Sequence, residues 1–345
     1  MANTPGADLN ELHCAFVLNG RSWNGKLGAK SKEEYDKRQE QLGKTTTGSD
    51  EARWRQGQAE KMAEEVVKWA KRNGFSGNIT EVYWTARSDF NFTDIDAKWE
   101  EKSKDHPADV LIKFQRSTHS STPSGNYLGI SMKSLKATSG EAPVKNPGTQ
   151  KISEFIGKSG IFDRILIKYL NEAHLQTGLP KKQKLLEASA VKDVWKPKDA
   201  EKKKSKVFKT LDDLKNKCLS ECRDVLLQGF KDMDDGEVRL YILMDLLDTD
   251  KIPMYVKVTG YGTNNYRAAV EVPTGQNNQK FKALMDNTQR LTYEATGGED
   301  GYSFGVKAGS KRIVRIRWKF SERPFSSGLK MSVEPWTTPG GVESD

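Results

Sequence analysis

The chain has 345 residues, a formal net charge of +9, and is 35% hydrophobic and 30% charged, so it is long enough for two domains or for one core with large insertions, and its basic balance makes an anionic partner such as nucleic acid a reasonable expectation. Its three cysteines, Cys14, Cys218 and Cys222, are too few, and odd in number, for a disulfide framework, and they fit a reducing, cytoplasmic compartment. There is no run of 18 apolar residues, no charged-then-apolar leader and no repeat of solenoid length, so neither a membrane span, nor secretion, nor a repeat array is expected.

In chain order, "DLNELHCAFVL" (8–18) reads as a short amphipathic helix opened by an Asp or Asn cap. Residues 20–58 read as a loop with one polar helix near 32–42. "AEKMAEEVVKWAKRN" (59–73) has helical spacing, with Met62, Val66, Trp69 and Ala70 as its apolar stripe and Gly74 as its stop. "ITEVYWTA" (79–86), "ADVLIKF" (108–114) and "YLGISMKSL" (127–135) alternate as strands. In the last of these Leu128, Ile130 and Met132 share one face, and Gly129, Ser131 and Lys133 share the other. A helix starts near 149 and breaks around Gly157–Gly160.

Residues 181–206 carry a dense lysine series, which reads equally as a contact surface or a solvated loop. Residues 207–232 read as a helix whose Cys218 and Cys222, four apart, are small buried hydrophobes rather than zinc ligands. An apolar segment follows at 237–248, and "PMYVKVTGYG" (253–262) is a strand. Beyond it lie five further strand candidates: "RAAVEV", "RLTYEA", "YSFGVKA", "RIVRIRWKF" and "LKMSVE". The order predicts a mixed α/β core with one long interruption. We expect an N-terminal segment over 1–58, a core over 59–262 carrying a basic helical insertion at about 161–250, and a β-rich part over 263–345.

The chemistry concentrates on the strands 108–114 and 127–135. As a hairpin they bring Asp109, at the start of the first, beside Ser131 and Lys133 on the second. A carboxylate there suits a hard divalent cation. A neighbouring lysine suits the orientation of a metal-bound water and the stabilisation of charge on a phosphate. His106 reads as a loop filler. In "KRIVRIRWKF", Val314, Ile316, Trp318 and Phe320 face one way and Arg315, Arg317 and Lys319 the other, as phosphate contacts would.

"HPADVLI" followed by "GISMKS" resembles the PD-(D/E)xK nuclease superfamily, with its restriction-endonuclease-like fold. The resemblance covers roughly 59–160 and 253–262. It implies a mixed sheet flanked by helices, with Asp109 as the metal-binding acid and Lys133 as the catalytic lysine. It further implies Mg²⁺ (or Mn²⁺) as cofactor, bound also through the backbone carbonyl near Met132, and double-stranded DNA as substrate. Cleavage of that type leaves 5′-phosphate and 3′-hydroxyl ends, and a homodimer is the usual way for one site per chain to cut two strands. Ser131 stands where the family carries a second acid. Some restriction enzymes share that serine and use a glutamate from the following helix, here Glu154, with Glu141 second. Many members add a glutamate from the first core helix, here Glu65, which flanks the Met62–Val66–Trp69 stripe while Glu64 points away. If none of them completes the shell, the implied alternative is a DNA-binding protein that keeps the fold without cutting.

Overall fold

A computed structural model of the protein describes residues 5–87, 89–99, 106–138, 147–195, 205–247, 251–271, 283–296 and 302–335. Glu141, Lys196, Lys198, Lys202, Lys203, Lys204 and the tail 337–345 lie outside them. The chain divides into two compact units, Met1–Ala142 with Leu247–Gln276, and Pro143–Leu246 with Asn277–Asp345. This differs from the expected division. Residues 1–58 are part of the first unit, and the insertion shares the second unit with most of the β-rich part.

The first unit opens with α1 (Pro5–Leu18), α2 (Gly28–Gly43) and α3 (Thr46–Arg72). Pro5 suits the first position of α1, where no N–H is required. Thr45 caps α3, its hydroxyl accepting from the Gly48 N–H at 3.0 Å. The helix begins well before the predicted residue 59. Its first half is polar and holds two glycines, so no apolar stripe announces it. Gly57 is required there because the Tyr266 ring occupies the place of a Cβ, 2.1 Å from the nearest ring atom.

The strands β1 (Phe75–Trp84), β2 (Val110–Ser117), β3 (Tyr127–Leu135), β6 (Tyr255–Tyr261) and β7 (Arg267–Glu271) form one sheet in the order β1-β2-β3-β6-β7. All pairs are antiparallel except β3 with β6, which is parallel. A parallel neighbour needs a long crossover, and the chain from 136 to 254 supplies it. β1 starts four residues before its predicted edge. The glycine there, Gly77, marks a register shift within the strand and not a turn before it.

One face of this sheet carries Val82, Val110, Ile112, Phe114, Leu128, Ile130, Met132, Val256 and Val258, packed into one core with Leu12 and Ala15 of α1 and Met62, Ala63 and Val66 of α3. Tyr83 and Leu111, on the other face, pack with Phe92, Trp99 and Ala108. Truncating a fully buried member such as Ile130 to alanine costs about 2–5 kcal/mol.

In the second unit, α4 (Thr149–Phe155) and α5 (Ile161–Thr177) flank the expected break. The short β4 (Lys181–Lys182) and β5 (Leu185–Leu186), α6 (Ala188–Trp195), α7 (Lys206–Asp232) and α8 (Asp235–Tyr241) follow. Cys218 and Cys222 are free and buried in α7. The strands β8 (Leu291–Thr296), β9 (Ser303–Ala308), β10 (Lys311–Phe320) and β11 (Leu329–Pro335) form an antiparallel sheet in the order β11-β10-β9-β8. Its apolar face holds Phe304, Val306, Val314, Ile316, Trp318 and Val333, with Phe162 of α5 against Trp318 and Phe230 of α7 against Phe304. No helix among the described residues is long and apolar enough to cross a membrane.

Candidate active site

Asp109 ends the loop that leads into β2, and its backbone is held on both sides. Its N–H donates to Ile130 O at 2.8 Å, and its carbonyl accepts from the Thr85 N–H at 3.0 Å. The carboxylate then turns to β3, where Oδ2 accepts the Met132 N–H at 2.6 Å. A hydrogen bond of this charge-assisted kind contributes about 1.5–3 kcal/mol. It locks the acid against the strand that carries Ser131 and Lys133. Met132 thus meets the site through its N–H, while its side chain belongs to the core.

Gly129 allows this close packing. A Cβ there would lie 2.9 Å from Tyr255 Cβ and 3.0 Å from both Ala108 Cβ and His106 Cε1. His106 is a structural residue. Its Nε2–H donates to Pro253 O at 2.7 Å, its Nδ1 accepts from the Ala108 N–H at 3.1 Å, and burial lowers its pKa to about 4.

The helix carboxylate beside Asp109 is Glu11 of α1, not Glu65 of α3. Glu11 is buried and accepts from Trp84 Nε1–H at 3.2 Å. Burial pushes its pKa well above the usual carboxylate range, and the Asp109 charge pushes it further. The Trp84 N–H and Lys133 act in the opposite direction, and Asp8 adds to the rise. Asp109 is also raised, again by burial first, with Lys133 and the Met132 N–H countering and Asp8 adding to the rise. Asp8 itself pairs with Arg38 at 2.9 Å. Asn10 anchors α1 over this end of the sheet by donating to Ser134 Oγ at 2.8 Å. Glu65 is engaged by Lys68 at 2.9 Å on the outer side of α3. Glu154 belongs to the second unit, where Gln150 donates to it at 2.9 Å.

A signal for Glu11 was present. Asp8 and Glu11 are the only carboxylates of α1, whose remaining residues are mostly apolar, and carboxylates are seldom buried without a purpose. Glu65, by contrast, lies in a run of lysines and glutamates that solvate one another.

Ser131 is buried at 3% exposure, and the parallel register places Lys257 beside it, itself only 1% exposed. No carboxylate occupies that stretch of β3. Among the described residues no group of three or more His, Cys, Asp or Glu stands in a metal-holding arrangement. Glu11 and Asp109 offer oxygen donors only, and as neighbouring buried anions they gain from a cation. That suits Mg²⁺, which is commonly held by one or two carboxylates and keeps several waters. No known protein-family profile matches this chain, and no curated protein matches its sequence.

On β10, Arg315, Arg317 and Lys319 do share a face, opposite Val314, Ile316, Trp318 and Phe320. They are not equivalent. Arg315 grips the buried Glu334 across the strand pair, at 2.6 Å from Nη2 and 3.1 Å from Nε to the same oxygen. Lys319 is half-buried. Burial lowers its pKa, Glu334 raises it, and Arg317 and Lys330 lower it further.

Proposed function

We propose that this chain is a metal-dependent DNA endonuclease on the PD-(D/E)xK, restriction-endonuclease-like plan. The meeting of Asp109, Glu11 and Lys133 at one end of a mixed sheet carries the reading. The antiparallel, antiparallel, parallel sequence of pairings through β1, β2, β3 and β6 supports it.

Asp109 and Glu11 would hold Mg²⁺ or Mn²⁺, which when bound polarises a phosphoryl oxygen and makes a bound water more acidic. Lys133 orients the attacking water and balances charge building on the phosphate. The water oxygen bonds to phosphorus, the bond from phosphorus to the 3′ oxygen breaks, and that oxygen takes a proton. A 5′-phosphate and a 3′-hydroxyl remain. Ser131 acts as a neutral hydrogen-bonding neighbour. The substrate is double-stranded DNA within the cell, Arg317 and Lys319 contribute phosphate contacts, and a homodimer accounts for cutting both strands.

One observation favours a second reading. Where the pattern has a second carboxylate, Ser131 offers a hydroxyl beside the buried Lys257, which fits a DNA-binding protein that has stopped cutting. Plasmid cleavage with Mg²⁺ separates the two. Cleavage by the wild type, lost in Asp109→Ala, Lys133→Ala and Glu11→Gln, supports the nuclease. Equal cleavage by all four proteins overturns the site. No cleavage by any of them, with salt-sensitive DNA binding intact, supports the binding protein.

A further inference from the structure

The last two residues at the end of β1 touch both carboxylates of the candidate site. Trp84, the final residue of the strand, pairs with Val110, the residue after Asp109. Its ring is buried in the core that also holds Val82 and Val110, and its Nε1–H donates to Glu11 Oε2 at 3.2 Å. Thr85 follows, and it holds the chain beside Asp109 twice. Its N–H donates to Asp109 O at 3.0 Å and its hydroxyl to Ala108 O at 2.5 Å.

These contacts engage the two carboxylates in the same way. Glu11 Oε2 is taken by the indole, and Asp109 Oδ2 by the Met132 N–H. Among the described residues no hydrogen bond is spent on Glu11 Oε1 or Asp109 Oδ1, so one oxygen of each group is left for a cation.

The kind of donor matters. Asp8, in the same helix, is held by the Arg38 guanidinium, and Glu65 by the Lys68 ammonium. A cationic partner orients a carboxylate but cancels the charge that a metal ion would use. An indole N–H is a donor only and carries no charge. It fixes the carboxylate and leaves its negative charge whole. Because the ring is packed into the core, the direction of that N–H is fixed before any cation arrives, as it is in the outer partners that orient metal ligands.

We propose that Trp84 is a positioning residue, whose neutral indole N–H holds Glu11 so that Oε1 stays available, with Asp109 Oδ1, to a divalent cation. The inference rests on the reading of Glu11 and Asp109 as metal ligands and names the residue that keeps Glu11 in that role.

The test is Mn²⁺ binding to the full chain without DNA, with free Mn²⁺ read by electron paramagnetic resonance. Trp84→Phe keeps a buried aromatic ring and removes the N–H. Its Mn²⁺ dissociation constant should rise about 10-fold or more, the scale of losing an outer partner of a metal ligand. The Mn²⁺ concentration for half-maximal plasmid cleavage should rise by the same factor, while kcat at saturating Mn²⁺ stays within about threefold of the wild type. Val82→Ala loosens the same strand without removing a donor. It should lower the urea midpoint yet leave the Mn²⁺ dissociation constant within about twofold. Wild-type affinity in Trp84→Phe overturns the proposal and leaves the metal-site reading standing. So does an equal loss of affinity in Val82→Ala, which would make the effect one of packing alone. Absence of Mn²⁺ binding by the wild type overturns both readings together.

Discussion

The charge on Asp109 raises the pKa of Glu11, although one residue immediately precedes β2 and the other lies in α1. Lys133 opposes the rise in both carboxyls. If this cluster is the catalytic centre, Glu11→Gln should reduce Mg²⁺-dependent plasmid cleavage by at least ~10²-fold, the scale of losing one electrostatic stabiliser. Glu65→Gln and Glu154→Gln should remain within about threefold of the wild type, since Glu65 is spent on Lys68 and Glu154 accepts from Gln150. A larger loss in Glu65→Gln than in Glu11→Gln would reverse the assignment.

The same two carboxyls set a pH dependence of stability. Both have pKa values raised on folding, so the native state holds their protons more tightly than the unfolded chain does. Their contribution is fully present below the ordinary carboxyl range, about pH 4, and is lost as pH rises through the raised values. In EDTA, urea midpoints of the wild type should fall relative to Glu11→Gln as pH increases from about 4 towards neutrality. At pH 7 the variant should be the more stable by about 1 kcal/mol or more. Carboxyls held low, such as Glu81 and Glu221, are common to both proteins and cancel in the difference. Millimolar Mg²⁺ should raise the wild-type midpoint more than the variant's.

Gly129 tests the packing behind Asp109. Its missing Cβ is replaced on three sides by Tyr255, Ala108 and His106. Gly129→Ala should destabilise the fold by about 1–3 kcal/mol through overpacking, read as a lower urea midpoint with an unchanged slope. Cleavage should fall as well, because Ala108 immediately precedes Asp109.

Arg315 carries a structural contact on β10. Arg315→Gln removes the guanidinium that grips the buried Glu334 and should cost about 1–3 kcal/mol in stability. Its effect on DNA affinity should be under about threefold. Arg317→Gln should reduce the salt dependence of DNA binding by about one phosphate contact.

Much of the architecture was legible locally. Alternation gave β3 its observed bounds and located the later strands, and the glycines at 157 and 160 mark the break between α4 and α5. Asp109 and Lys133 were legible for the same reason. The antiparallel pairing of β2 and β3, in which Val110 meets Ile130, puts the residue before β2 at the same end of the sheet as Ser131 and Lys133.

The helix carboxylate was not legible in that way. Helical spacing pointed to Glu65, which flanks the Met62–Val66–Trp69 stripe, and not to Glu11. Which helix places a charge over the end of β3 depends on packing between segments far apart in sequence. That choice is made by Asn10 reaching Ser134 and Trp84 reaching Glu11. The sequence alone determined the strands and their alternation, and pointed to Asp109 and Lys133 as neighbours, because those are matters of short-range period. Only the tertiary structure decided that Glu11 joins them and that Ser131 lies beside Lys257, because burial and nonlocal contact, not spacing, settle which charges share one volume.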